Sequence, residues 1–197
     1  MGAVASLRTI AGPIQHELPR IKGSRFIGFI VRIRSLAAVE GVLAEVRAQL
    51  PGATHYAYAA RIDDKTERLS DDGEVRGTAA RPIHARLAGA GLLNVVLVVV
   101  RYYGGTKLGK GGLVRAYGAA AAEVLAAAEV IEEPIRTAVT LSCSYSLSDR
   151  LQAQVIREGG VVERVDYDTA VTLTLALPAD RPAVLAALLD YAGVRQR

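Results

Sequence analysis

The sequence predicts an α+β protein of two domains, residues 1–134 and residues 135–197. Three observations lead there. Residues 94–130 pass from a strand-like stretch, NVVLVVVR, through a glycine-rich segment, YYGGTKLGKGG, into an alanine-rich helix that opens LVRAYGAAAAEVL. Glu132-Glu133-Pro134 then marks a boundary, because the residue before a proline is pushed out of helical geometry. Beyond it the periodicities follow the order strand, helix, strand, strand, helix, with a short last strand at 194–197, which reads as ferredoxin-like.

The elements follow in order. Residues 7–20 read as a weak hairpin, LRTI and IQHEL about an Ala11-Gly12-Pro13 turn. Residues 25–34, RFIGFIVRIR, form a strand with Ile27, Phe29, Val31 and Ile33 on one face. The other face carries Phe26, Gly28, Ile30, Arg32 and Arg34, so it is expected to be partly exposed. Ser35 is placed to cap a helix over 36–50, whose stripe is Val39, Val42, Leu43, Val46 and Leu50. Residues 53–62 form a strand, and 63–77 a polar loop. Thr78 is placed to cap a helix through about residue 90, with Pro82 tolerated in its first turn. The stretch from residue 94 does not alternate, so it reads as a central strand covered on both faces. In the second domain 136–146 form a one-sided strand, Ser148 caps a helix to Glu158, and 161–167 with 170–177 form a hairpin. Asp180 then caps a last helix with Pro182 in its first turn and Leu185, Leu188 and Leu189 inward.

Composition narrows the class. The chain has 197 residues, 51% hydrophobic and 22% charged, ordinary values for a globular protein. No apolar run reaches the roughly 18 to 20 residues that span a bilayer, and no secretory h-region is present. Residues 1–6, MGAVAS, fit an N-myristoylation pattern, but no basic cluster adjoins them as a second anchor, so no membrane attachment is expected. Cys143 is the single cysteine, which fits a reducing cytoplasm, and its alternation with Val139, Leu141 and Tyr145 reads as a buried strand thiol. The net charge is +4, and the whole excess precedes residue 135. Modest positive charge suits RNA or another polyanion.

The glycine-rich segment carries the chemistry. Gly104, Gly105, Gly109, Gly111 and Gly112 alternate with Lys107 and Lys110, with Arg101 before and Arg115 after. The helix is expected to start at Gly112 or Leu113 with no Ser, Thr, Asp or Asn cap. Its first N–H groups are then unpaired, and the helix dipole adds positive potential. Glycines let a phosphate approach, so strand, basic loop and uncapped helix make an anion site. Gly104-x-x-x-x-Gly109-Lys110 has P-loop spacing, but Gly111 stands where Ser or Thr must hold magnesium, which argues against nucleotide hydrolysis. A glycine-rich turn that merely closes a tight connection is the plainer alternative. Asp63, Asp64, Asp71, Asp72 and Glu74 cluster in the polar loop. Oxygen ligands of this kind can hold a divalent cation, but their spacing matches no calcium loop. A solvated or salt-bridged loop is the favoured reading; a third is that Asp71 or Asp72 pairs with Arg101, Lys107 or Arg115 and holds the two loops together. His16, His55 and His84 share no metal spacing, and no catalytic partner for His55 can be read.

RYYGGTKLGKGGLVRAY resembles the signature of the IMPACT/YigZ family. Three further strings agree in order: Ser24-Arg25-Phe26-Ile27, Ala53-Thr54-His55 leading to Arg61, and Ser70-Asp71-Asp72-Gly73-Glu74-Val75-Arg76-Gly77-Thr78-Ala79 with Arg81-Pro82-Ile83. Departures are Ala57 where the family often has Cys, Tyr103 for Phe, and Val75 for Pro. The resemblance implies a bacterial two-domain member. Its first domain would have the fold of the second domain of ribosomal protein S-five, and its second would be similar to domain V of elongation factor G. It also implies translation control, since eukaryotic relatives regulate initiation by engaging the activator of a stress kinase. That activity depends partly on an extra N-terminal domain not expected here, so the specific partner is not carried over.

No nucleophile–base–orienter set can be assembled from the sequence. The leading expectation is therefore a cytoplasmic, non-catalytic RNA- or ribosome-associated protein, with no cofactor and with a translation-related protein as a further partner. Arg101, Lys107, Lys110 and Arg115, with Arg32 and Arg34, are expected to contact phosphate, and the five glycines to allow close approach. The alternatives are a metal-assisted enzyme on a phosphorylated or nucleotide substrate, using Asp71, Asp72 or Glu74, and a protein-interaction adaptor. The adaptor reading predicts a glycine loop buried against the acidic loop.

Overall fold

The structure is a computed structural model that describes residues 6–191 and 193–196. Most of the MGAVAS segment, and residue 197 of the expected last strand, lie outside the described residues. The chain divides into two compact units. One is Arg8–Glu132; the other runs from Glu133 onward and includes Ser6 and Leu7.

In the first unit a five-stranded sheet has the order β2 (Ile14–Glu17), β3 (Arg25–Arg32), β6 (Val95–Tyr102), β4 (His55–Arg61), β5 (Glu67–Ser70). Every neighbouring pair is antiparallel. β6 is central, and its run fails to alternate because both faces are covered. Val95, Leu97 and Val99 pack under α2 (Ala80–Gly89) and α3 (Gly109–Ala127), with Ile83, Leu87, Leu113 and Tyr117. Val96, Val98 and Val100 pack with Val39, Val42, Leu43 and Val46 of α1 (Val39–Gln49).

Several expectations are corrected. The second face of β3 is buried at Phe26 and Ile30, which are fully covered, and opens only at its end, where Arg32 is half-buried and Arg34 exposed. α3 passes so near Gly28 that a Cβ there would lie 3.1 Å from the Ala120 carbonyl. The hairpin over 7–20 does not form. β1 (Ser6–Ile10) pairs with β7 (Val130–Pro134). Ala11 donates to the Glu129 carbonyl at 2.9 Å and Leu93 to that of Arg8 at 2.9 Å, so this strand's bonds are spent elsewhere. Ser35 makes no side-chain cap and leads into a 3-10 turn, Leu36–Ala38, ahead of α1. The polar loop over 63–77 contains β5, a polar edge strand with no apolar pattern to betray it.

The second unit contains β8 (Arg136–Cys143), α4 (Tyr145–Arg157), β9 (Val161–Tyr167), β10 (Val171–Pro178), α5 (Pro182–Leu189) and β11 (Arg195–Gln196). Its sheet order, β11-β8-β10-β9, is ferredoxin-like. Leu141, Cys143, Leu151, Leu173 and Leu188 share its core. Burial pushes the Cys143 thiol pKa up. Ser144, not Ser148, precedes α4; Ser148 is buried within the helix and its hydroxyl accepts from Gln152 at 3.0 Å. In α5 Val184 takes the inward place expected of Leu189, which is 36% exposed.

Candidate functional site

β6 delivers Arg101 to the start of α3. The helix begins at Gly109, before the Gly112 or Leu113 start read from sequence, so Gly109, Lys110 and Gly111 belong to its first turn. Glycine's poor helix propensity conceals that turn. Leu108 occupies the cap position without any side-chain cap bond, so the first N–H groups stay available to an acceptor.

Beside this turn lies a cleft of about 470 Å³. Lys107 and Lys110 stand on it, Val75, Leu108, Leu113 and Tyr103 form apolar walls, and Arg101 and Glu74 line it as well. Lys107 and Lys110 are exposed, whereas Arg101 and Glu74 are each only 6% exposed. Arg101 Nη1 donates to Glu74 Oε2, and Tyr117 Oη donates to the same oxygen at 3.1 Å. His55 Nε2 lies 3.7 Å from it, and His55 Nδ1 is 2.9 Å from the Asp72 carbonyl oxygen. Burial, with the Glu74 charge next, pushes the Tyr117 phenol pKa far up, so it stays a donor. The Arg101 guanidinium lies 5.6 Å from the Phe26 ring centroid and 5.5 Å from that of Tyr103. Its Nε is buried and has no hydrogen-bond partner.

This geometry reassigns the acidic residues. Glu74, not Asp71 or Asp72, ties the polar loop to Arg101. Asp71 caps α2 from a distance: its carboxylate accepts from Gly77 N at 2.8 Å, Ala79 N at 3.1 Å and Ala80 N at 2.9 Å. Burial alone would raise its pKa, but the three N–H donors outweigh burial and hold it below the usual aspartate value. Thr78 does not cap this helix; its hydroxyl donates to the Val75 carbonyl at 2.6 Å. Asp72 accepts from Tyr56 N at 2.7 Å and stands 3.7 Å from Arg47 Nη2. Each carboxylate thus serves a different protein partner, and no group of three or more metal-ligating side chains occurs among the described residues.

The basic candidates separate into three places. Arg101, Lys107 and Lys110 share the cleft. Arg115 lines a neighbouring one of about 270 Å³ with Lys22 and Gly112. Arg32 pairs with Val95, at the end of β6 opposite Arg101, and Arg34 lies beyond it. At about 3.3 Å per residue that is roughly 20 Å away, so the structure does not bring these two to the site.

The glycines separate too. Gly105 and Gly109 have φ of +84° and +73° with open space where a Cβ would stand. Gly104 serves the fold: a Cβ there would lie 2.0 Å from the Gly23 carbonyl carbon. Ser24 Oγ accepts from Gly104 N at 3.1 Å, and Thr54 Oγ1 from Tyr103 N at 3.0 Å. The four resembling strings therefore meet around one cleft. Sequence reasoning missed Tyr103 in its lining, and Tyr117 and His55 as the neighbours of Glu74. The available signal was register, since Phe26 and His55 both face Arg101 across neighbouring strands.

Comparison with known proteins follows the same lines. The family model described as the Impact N-terminal domain matches residues 22–125, which hold the whole cleft. A second, described as a domain of unknown function, DUF1949, matches residues 141–190. IMPACT family member YigZ of Escherichia coli (strain K12) is 38% identical over 173 residues, covering 86% of this chain and 85% of the relative. IMPACT family member YvyE of Bacillus subtilis (strain 168) is 32% identical over 165 residues, covering 80% and 76%. A crystal structure described as that of a hypothetical protein superposes with a TM-score of 0.76 at 34% identity, covering 97% of this chain and 96% of the other. With relatives matched along most of their length and a family model spanning more than half of its own, this chain belongs to the IMPACT family.

Proposed function

We propose that the protein binds RNA through backbone phosphate at the start of α3, as a non-catalytic, cytoplasmic participant in translation control. The translation role is what the resemblance to the IMPACT family implies, and the chain's membership of that family supports carrying it over. The observation that carries the binding role is the convergence of donors on one cleft: the uncapped first turn of α3, Lys107 and Lys110. A helix N-terminus flanked by lysines favours an anion. The one carboxylate in the lining, Glu74, is neutralised by Arg101. RNA or the ribosome is the partner on this reading. No helix among the described residues is long and apolar enough to cross a membrane.

The other two readings fare worse. Asp71, Asp72 and Glu74 are committed to backbone amides, Tyr56 and Arg101, which leaves a metal-assisted enzyme without a donor set. An adaptor with a buried glycine loop is at odds with the exposure of Gly105, Lys107 and Lys110.

The test is binding of single-stranded RNA by the purified protein across a salt series, beside Lys107→Ala/Lys110→Ala. Two lost phosphate contacts lower the slope of log K against log salt by roughly 1.4 for a single strand. Absence of binding at low salt, or a slope and affinity untouched by the double substitution, would overturn the reading.

A further inference from the structure

We infer that the cleft takes one whole unpaired nucleotide, with its phosphate at the start of α3 and its base against Tyr103. This rests on the phosphate reading above and specifies the ligand. A lone phosphate needs a few donors and little space. The cleft of about 470 Å³ falls within the roughly 300–1,000 Å³ typical of sites that enclose a small organic molecule.

Its lining also divides by chemistry. Lys107, Lys110 and the α3 amides form the phosphate end. Apart from the Arg101–Glu74 pair, the remainder is apolar, with Val75 44% and Tyr103 46% exposed beside Leu108 and Leu113. Phosphate has no use for such walls, whereas a base has two apolar faces. Tyr103 is held for stacking before any ligand arrives. Its hydroxyl donates to the Gly105 carbonyl at 2.7 Å, its N–H to Thr54 at 3.0 Å, and the Arg101 guanidinium lies 5.5 Å from its ring centroid. A ring fixed in this way loses little entropy when a base stacks on it.

The second observation is Arg101. The residue is 5% exposed, it lines the cleft, and its Nε has no partner. A buried donor left unpaired is unfavourable, and a carbonyl or ring nitrogen on a base edge is an acceptor of the right kind. A duplex hides its base faces in the stack and its Watson–Crick edges in pairing, so a base that stacks on Tyr103 belongs to an unpaired nucleotide. The neighbouring cleft of about 270 Å³ has Lys22 and Arg115 but no residue of Tyr103's kind in its lining.

A nucleoside 5′-phosphate could reach the cleft free or as one residue of a single-stranded RNA, and titration calorimetry on the full chain separates these sources. The probes are inorganic phosphate, ribose 5-phosphate, the four nucleoside 5′-monophosphates, a short single-stranded RNA and its duplex. The expected result is that at least one nucleoside monophosphate binds about tenfold or more tighter than ribose 5-phosphate, the stacking contribution of one base. Tyr103→Ala removes that advantage and leaves ribose 5-phosphate unchanged, while Tyr103→Phe restores it. A single strand binding far tighter than any mononucleotide identifies RNA as the source; equal affinities identify the free nucleotide. Equal binding of nucleoside and ribose phosphates, indifference to Tyr103→Ala, or preference for the duplex would overturn the inference and leave the phosphate reading standing. Failure of that reading has its own signature, in which Lys107→Ala/Lys110→Ala changes no affinity.

Discussion

Glu74 accepts from Arg101, 27 positions later in the chain, and both side chains are 6% exposed. The same carboxylate oxygen takes the Tyr117 hydroxyl at 3.1 Å. One buried acid thus joins the polar loop, the central strand and α3. The cleft keeps its shape because its floor is an ion pair inside the fold, not two charges waiting for a ligand. The exposed positive charge at the cleft is left to Lys107 and Lys110.

Removing one partner of a buried pair strands the other without solvent. Glu74→Ala is therefore expected to destabilise the protein by about 3–5 kcal/mol, and Glu74→Gln, which still accepts a hydrogen bond, by less. Urea denaturation of the three proteins measures both differences. A loss below about 0.5 kcal/mol in Glu74→Ala, the range of an ordinary surface substitution, would mean that the pair does not hold the loop.

Asp71 gives a stability change with a sign in pH. Its carboxylate satisfies three N–H groups at the start of α2, so Asp71→Ala is expected to lose about 2 kcal/mol or more, well beyond Thr78→Ala. The folded-state pKa lies below the ordinary value of 3.8. Asp71 therefore contributes fully above about pH 4 and loses that contribution as pH falls through the lower folded value. The gap between wild type and Asp71→Ala should be constant from pH 7 to about pH 5 and close in strong acid. A gap that widens on acidification contradicts the cap.

The run of β6 and the cap on α2 were not equally legible in the sequence. The continuous apolar run of β6 announces a strand covered on two faces, because burial demands apolar residues at every position. Glycines and lysines before an alanine-rich helix announce a helix start without a side-chain cap, because the missing cap is visible in composition. The cap on α2 was not visible: Thr78 stands at the expected local position, but Asp71, nine residues before Ala80, does the work through a tertiary fold of the loop. β1 was misjoined for a related reason, since its partner β7 lies more than a hundred residues away. Arg32 and Arg101 both flank strand ends, and only the register of β3 on β6 shows that they are opposite ends.

Two glycines of the signature are expected to respond to alanine in opposite directions. A Cβ on Gly104 would fall 2.0 Å from the Gly23 carbonyl carbon and 2.2 Å from Ser24 N. These are backbone atoms, which cannot swing aside as a side chain can. Gly104→Ala must displace the loop that carries Tyr103, at about 2 kcal/mol or more of stability. Gly111 lies in the first turn of α3, and its nearest neighbour to a Cβ would be Arg115 Nη1 at 3.5 Å, an ordinary contact with a flexible side chain. Alanine there gains helix propensity, so Gly111→Ala is expected to stabilise the fold by up to about 1 kcal/mol. Thermal denaturation of the two variants decides between the roles. If Gly104→Ala melts with the wild type, the glycine is not needed for the Gly23 contact. If Gly111→Ala is as stable as expected yet binds RNA more weakly, that glycine is there to admit phosphate to the helix N-terminus.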